Sequence, residues 1–262
     1  QQSVGQPGHV LVLAHRGAPA PRRPENTLGA VDAALAAGAD GVEIDVRATA
    51  DGVLVCSHDA DLTRLAGRPM VIAETALGAL RQVSLPGGHH VSTLDEVLAT
   101  VHGRVVIEVK PVTDEIRALR TSMALCVSLE AAMPGPALTV SSFDPELLAT
   151  IRFALRHTGH THVRTALLGL PGTCTGGLLR RTLDGGHDEV HPHVSDLLRA
   201  RRIVDGAHSL GASVTCWTVN RRRDVRRLAQ LGVDAVISDR PDAASAAAAG
   251  WAIGVRTQGS NL

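Results

Sequence analysis

A chain of 262 residues exceeds an ordinary domain but suits an α/β barrel, which runs to about 250 residues as one unit. Hydrophobic residues make up 44% and aromatics only 2%, with no Tyr, so the core has to be packed from Ala, Val, Leu and Ile, which reach normal density. Lys plus Arg and Asp plus Glu number 26 each, which excludes a whole-protein pull toward nucleic acid or an anionic membrane and leaves any anionic substrate to local positive groups.

Apolar β-type runs alternate with longer Ala- and Leu-rich runs. Strands are predicted at His9–Ala14, Gly41–Arg47, Arg104–Val109, Ala137–Ser141, Val163–Leu168, Glu189–His193, Ser213–Thr218 and Ala235–Ser238. Helices are predicted at Thr27–Ala37, Asp114–Ala131, Pro145–Arg156, Val194–Leu210, Arg221–Leu231 and Asp242–Ala249. Strand–helix alternation implies parallel pairing with crossover helices. Near-continuous apolar strands imply cover on both faces. The expected fold is a single-domain (β/α)8 TIM barrel with its core at about residues 9–250.

One stretch breaks the rhythm. Asp51-Gly52 marks a turn, so Val53–Ser57 is expected to return as an extra strand. Residues 60–101 then form a short insertion with weak helices, one of them starting at the capping-box pattern Thr93-Leu-Asp-Glu96. Gly172–Gly177 and Gly185–Gly186 read as loops, and the pattern fades beyond Gly254, where disorder is expected.

Cys56, Cys126, Cys174 and Cys216 form no CxxC pair, which argues against zinc; three of them read as small core residues. No run of about 18 apolar residues exists, so no stable membrane insertion is expected. A cytoplasmic location is expected. Secretion is the alternative, because the chain starts at Gln1 and a removed signal peptide would leave no trace. The oligomeric state is open.

Barrel sites gather at the C-terminal strand ends, so the polar residues there are candidates. His15-Arg16 closes the first strand and offers a proton-transfer group and a phosphate clamp, or simply a surface loop. Glu43 and Asp45 point to one face of the second strand between apolar Val42 and Ile44. Two carboxylates projecting inward together call for a cation or a raised pKa. His58-Asp59 ends the extra strand. Glu108 and Lys110 share a face of the next strand and either pair with each other or divide the work, Glu108 completing a ligand set and Lys110 meeting phosphate. An all-oxygen set suits Mg2+ or Ca2+ better than zinc. Trp217 lies at a strand end, as core filling or as a wall for a small substrate. Together, two imidazoles, three carboxylates, an Arg and the chain's one Lys fit phosphodiester cleavage.

These residues sit in His15-Arg16-Gly17, Pro24-Glu25-Asn26-Thr27, Gly38–Val46, Thr49–Gly52, His58-Asp59, Glu108-Val109-Lys110, Ser141–Phe143, Trp217–Asn220 and Ser238–Pro241. The set resembles the glycerophosphodiester phosphodiesterase family from about Leu11 to Asp242. The resemblance implies a TIM barrel and one divalent cation, Mg2+ or Ca2+, on Glu43, Asp45 and Glu108. It implies His15 and His58 as the catalytic pair, Arg16 and Lys110 on phosphate, and Trp217 in the glycerol pocket. Glu25 and Asn26 become supporting residues behind the site. The implied reaction releases glycerol 3-phosphate and an alcohol from a small-molecule phosphodiester, with a cyclic phosphate on the way.

Two departures bear on substrate. The segment after His58 is short for the family, and residues 60–68 lack the fuller Arg-Thr-Thr-type ending, which implies an open mouth. The alternatives are therefore a pathway-specific phosphodiesterase for a bulkier natural-product or cell-wall substrate, a lysophospholipase-D-like enzyme, and a binding barrel without catalysis. The intact polar positions weigh against the last.

Overall fold

The computed structural model describes residues 10–132 and 135–258. The chain opens with β1 (Leu11–His15), α1 (Leu28–Ala36) and β2 (Gly41–Ala48). A rim segment follows: β3 (Leu54–Cys56), β4 (Asp61–Leu62), α2 (Thr63–Ala66), β5 (Arg68–Val71), α3 (Leu77–Leu80) and α4 (Leu94–Thr100). Regular alternation then resumes with β6 (Arg104–Val109), α5 (Glu115–Ala131), β7 (Ala137–Ser142), α6 (Pro145–His157), β8 (Arg164–Leu168) and α7 (Thr175–Asp184). It ends with β9 (Glu189–His191), α8 (Val194–Leu197), α9 (Ile203–Ser209), β10 (Ser213–Cys216), α10 (Arg222–Gln230), β11 (Ala235–Ser238) and α11 (Pro241–Gln258).

Eight parallel strands pair in the order β1-β2-β6-β7-β8-β9-β10-β11, and β11 pairs back onto β1, from Leu11 beside Ala235 to Ala14 beside Ser238. The sheet is therefore a closed TIM barrel, as the alternation predicts. β3 runs antiparallel along the end of β2, past the last residue that β1 pairs with.

Local chemistry explains the helix starts. Thr27 caps α1 by accepting from the Ala30 amide, Asp114 caps α5 from Arg117, and Asp144 precedes Pro145 at the start of α6. Thr93 and Glu96 close the capping box on α4. Most apolar side chains lie between strands and helices, in one cluster around β2, β6 and β7 and another around β9, β10 and β11. The barrel lumen is mixed. Leu13, Val106, Ala235 and Ile237 fill one part with aliphatic carbon.

The N-terminal ends of the strands close the opposite part with charge. Glu189 is fully buried and pairs with Arg104 and, at 3.2 Å, with Arg164. Thr139 donates to it at 2.8 Å, and His191 lies 3.1 Å away. Burial opposes its ionisation, but Arg104 and the hydrogen bond from His191 outweigh that and hold the carboxyl well below the usual range. Glu189→Ala would strand two guanidiniums at the barrel floor. A loss of about 3–5 kcal/mol is expected, read as a lower urea midpoint. An unchanged midpoint would contradict a paired role.

Strand ends agree with the sequence reading to within two residues, and the part of the first strand at His9 lies outside the described residues. Three readings need correction. Gly172–Gly177 is not all loop, because α7 starts at Thr175. Thr175, Leu178, Leu179 and Thr182 fall on one buried face, and that face outweighs the cost of Gly176 and Gly177 in the first turn. Val194–Leu210 is two helices, α8 and α9. At about 100° per residue, one continuous helix would bring Arg201 close to the buried direction of Leu197 and Val204; the turn keeps Arg199, Arg201 and Arg202 exposed. At the end of the chain, α11 runs past Gly254 to Gln258. The insertion after His58 also has a small core, Leu62, Ile72, Leu80, Leu85 and Val91, packed with Val55 of β3. Among the described residues no helix is long and apolar enough to cross a membrane.

Candidate active site

Every polar residue that the sequence singles out lies at or just beyond the C-terminal end of a barrel strand or on the rim segments beside it. Glu43 and Asp45 come from β2 and Glu108 from the adjacent β6, where Asp45 and Glu108 are direct register partners. Alternation on β2 aims Glu43 and Asp45 inward together, and all three carboxylates are buried. Each offers an oxygen within 4.8 Å of the others. The donor set is oxygen only, and Lys110 is the partner of the buried Asp45 Oδ1 among the described residues. A hard divalent cation fits these residues.

The electrostatics reflect the crowding. Burial and the neighbouring Asp45 raise the Glu43 carboxyl to about 8. Burial also raises Glu108, against the pull of Lys110. Asp45 goes the other way: burial opposes its charge, but Lys110 and Arg16 outweigh it and lower its pKa. Lys110 Nζ lies 2.6 Å from Asp45 Oδ1 and also pairs with Glu108. Of the two sequence readings of Lys110, the structure shows the ion pairing, with Asp45 and Glu108.

Arg16 and Asn26 support the cluster from loops in strained backbone. Both have positive φ, 57° and 58°. Such conformations cost about 1–3 kcal/mol each and persist where side-chain contacts fix them. Arg16 donates its amide to Glu43, places Nε 3.1 Å from Asp45 Oδ2 and Nη1 3.0 Å from Glu25. Asn26 donates to Asp45 Oδ2 at 2.8 Å and accepts from the Asp45 amide at 3.0 Å. Gly17 follows at φ 81°, where a Cβ would lie 2.6 Å from the Ala30 carbonyl carbon, so the HRG turn packs directly on α1.

Each histidine is held at Nδ1 by an aspartate. His15 Nδ1 lies 2.5 Å from Asp239 Oδ1, and Nε2 faces Glu43 at 3.8 Å. Asn220 secures Asp239, donating to Oδ2 at 2.6 Å. His58 Nδ1 lies 2.7 Å from Asp59 Oδ1. With Nδ1 protonated toward its carboxylate, the neutral ring presents Nε2 as an acceptor. Burial works against protonating His15, yet the Asp239 hydrogen bond and the Glu43 charge raise its pKa. Asp239→Asn should therefore move the His15 limb of the kcat/KM profile to lower pH, whether His15 serves as acid or base. A limb that stays in place would break the link between the two residues.

Trp217 follows β10 and sits edge-on to Phe143 at 5.4 Å and to His193 at 5.1 Å. Its indole donates to the His191 carbonyl at 3.0 Å. It is half-buried at the end of β10.

Sequence reasoning missed four residues. Asp59 and Asp239 were visible only as parts of longer motifs, and Asn220 gave no chemical signal of its own. Asp239 lies 224 residues from His15, and barrel closure between β1 and β11 brings them together. Arg64 came from a segment read only as substrate access. It bonds Glu25 through Nη2 at 2.6 Å and Nη1 at 3.2 Å, and Asp59 through Nε at 2.6 Å. Burial opposes the charges on Glu25 and Asp59, but Arg64 leads the interactions that lower both pKa values.

Comparison with known proteins places these residues in context. The family profile described as "Glycerophosphoryl diester phosphodiesterase family" matches residues 15–243. A Mycobacterium tuberculosis protein named probable glycerophosphodiester phosphodiesterase 1 is 33% identical, over 86% of this chain and 88% of its own length. A solved phosphodiesterase from Oleispira antarctica, in complex with the product sn-glycerol-3-phosphate, is 25% identical with a TM-score of 0.77, covering 91% of this chain and 96% of its own. The glycerophosphodiester phosphodiesterase from Thermotoga maritima is 29% identical with a TM-score of 0.71, covering 89% and 96%.

Proposed function

The chain belongs to the glycerophosphoryl diester phosphodiesterase family, and on that premise we propose that it hydrolyses a glycerophosphodiester to glycerol 3-phosphate and an alcohol with the aid of one divalent cation, Mg2+ or Ca2+. The observation that carries this reading is the pairing of two aspartate-held imidazoles with a buried three-carboxylate cluster at one barrel mouth.

Glu43, Asp45 and Glu108 would hold the cation, which supplies a lowered pKa for a glycerol hydroxyl and charge compensation for the phosphate. One imidazole takes the proton of that hydroxyl through Nε2 as its oxygen attacks phosphorus. The other gives a proton to the departing alcohol, and the diester becomes a cyclic phosphate. Water opens the ring with the two histidines in reversed roles. Asp239 and Asp59 keep each ring in the tautomer this exchange needs. Arg16 engages Asp45 and Glu25 through Nε and Nη1, which leaves Nη2 for a phosphate oxygen. Lys110 brings a second positive charge to the same place. Trp217 and Phe143 offer an apolar wall for the glycerol carbons.

The test is release of glycerol 3-phosphate from glycerophosphocholine, glycerophosphoethanolamine and glycerophosphoinositol, beside a lysophospholipid and a sugar-linked phosphodiester, with Mg2+ or Ca2+ supplied. Turnover of at least one of the first three is expected. Turnover of only the lysophospholipid or the sugar-linked compound would replace the substrate assignment and keep the chemistry. Turnover of none would overturn both.

A further inference from the structure

Arg64 carries the insertion after His58 to two carboxylates of the site, Glu25 and Asp59. Its backbone is fixed from both sides: Leu62 is fully buried, and Leu65 and Ala66 pack against the insertion's own core. Its guanidinium reaches back to Glu25 in a two-pronged contact and to Asp59 with the remaining nitrogen. Asp59 carries His58, and Glu25 carries Arg16, which in turn pairs with Asp45. The path from an acid–base imidazole to a cation-binding carboxylate is continuous, and its middle member is Arg64.

We propose that Arg64 is a positioning residue for the His58 step: it fixes the Asp59 carboxylate that orients His58, and it does so from a scaffold set by the insertion's core. The proposal rests on the acid–base role of His58 proposed above. A planar guanidinium can span two carboxylates through three nitrogens at fixed angles. An ammonium on a flexible stem cannot hold both at once, so Lys at this position would keep the charge and lose the geometry. Half exposure of the side chain means that its removal leaves no buried cavity.

The experiment compares the parent with Arg64→Ala and Arg64→Lys in the full chain. Arg64→Ala is expected to lower kcat about 10–100-fold, with KM changed little, and to keep the parent's thermal midpoint. Added guanidinium ion should recover part of that loss, and Arg64→Lys should stay near the Ala variant. The downfield imidazole N–H resonance of the His58–Asp59 pair, assigned by its absence in His58→Ala, should sharpen in the parent and broaden in Arg64→Ala. This signal needs no substrate, so it reads the positioning role even where the substrate assignment fails. A KM effect alone, full activity in Arg64→Lys, or an unchanged imidazole signal in Arg64→Ala would each overturn the proposal.

Discussion

His15→Ala and His58→Ala are each expected to lower kcat by about 10²–10⁴-fold and to leave the barrel folded. Neither ring supports the core: His15 is mostly buried at the mouth, with Asp239 retaining Asn220 as a partner, and His58 is more exposed. In the mechanism proposed above, both imidazoles transfer protons in one reaction, so the two losses should not add. The double variant is expected to be little slower than the slower single variant. Steady-state kinetics with far-ultraviolet circular dichroism checks both halves. Either single variant turning over within a few-fold of the parent would remove the paired-imidazole mechanism.

Removal of the cation should be as severe, and it carries a proton signature. Chelation is expected to abolish turnover, and Mg2+ or Ca2+ to restore it. In the protein without a cation, burial and Asp45 place the Glu43 pKa at about 8, so this carboxyl is mostly protonated at pH 7. Uptake of the cation needs the carboxylate and should release close to one proton at that pH. Calorimetric titrations in buffers of different ionisation enthalpy measure it directly. The sign of the stability effect follows. The folded chain holds this proton up to about 8, whereas the unfolded chain loses it near its ordinary 4.5. The native state therefore binds more protons across that window, and the chelated protein should lose stability as pH rises from about 4.5 to about 8. Saturating Mg2+ or Ca2+ should reverse the loss. Urea midpoints that rise over the same window would place the proton elsewhere, and chelator-insensitive turnover would exclude a cation from the reaction.

The roles of Glu25 and Arg64 give the insertion a purpose beyond substrate access. A short segment with its own apolar core can hold one guanidinium steady without a large lid. Leu65 and Ala66, which stand where the family's fuller ending is missing, pack into that core.

Much of this protein is legible without coordinates. The alternation of apolar strands with Ala- and Leu-rich helices is local information, set by side-chain periodicity, and it determined the barrel and most strand ends. Glu43 with Asp45, and Glu108 with Lys110, are two residues apart on strands, so their shared faces follow from strand geometry. The HRG turn, the PENT loop, Gly38–Val46, Thr49–Gly52 and His58-Asp59 are contiguous blocks, and together they carried most of the family resemblance. Periodicity failed where composition misled it: the glycines at 172–177 hid the start of α7, and the apolar spacing through 194–210 ignored what Arg201 would meet.

Tertiary structure alone decided the contacts between distant segments. Nothing local links His15 to Asp239, or Arg64 to Glu25, because each contact exists only after the strands close and the insertion folds back over the rim. The same holds for the barrel floor, where Arg104 and Arg164 from two strands meet Glu189 from a third. Sequence determined which candidate groups this chain offers at the strand ends. Closure of the barrel decided which nitrogen of His15 is held and which carboxyls are buried together, and the folding back of the insertion decided that Arg64 meets Asp59 and Glu25.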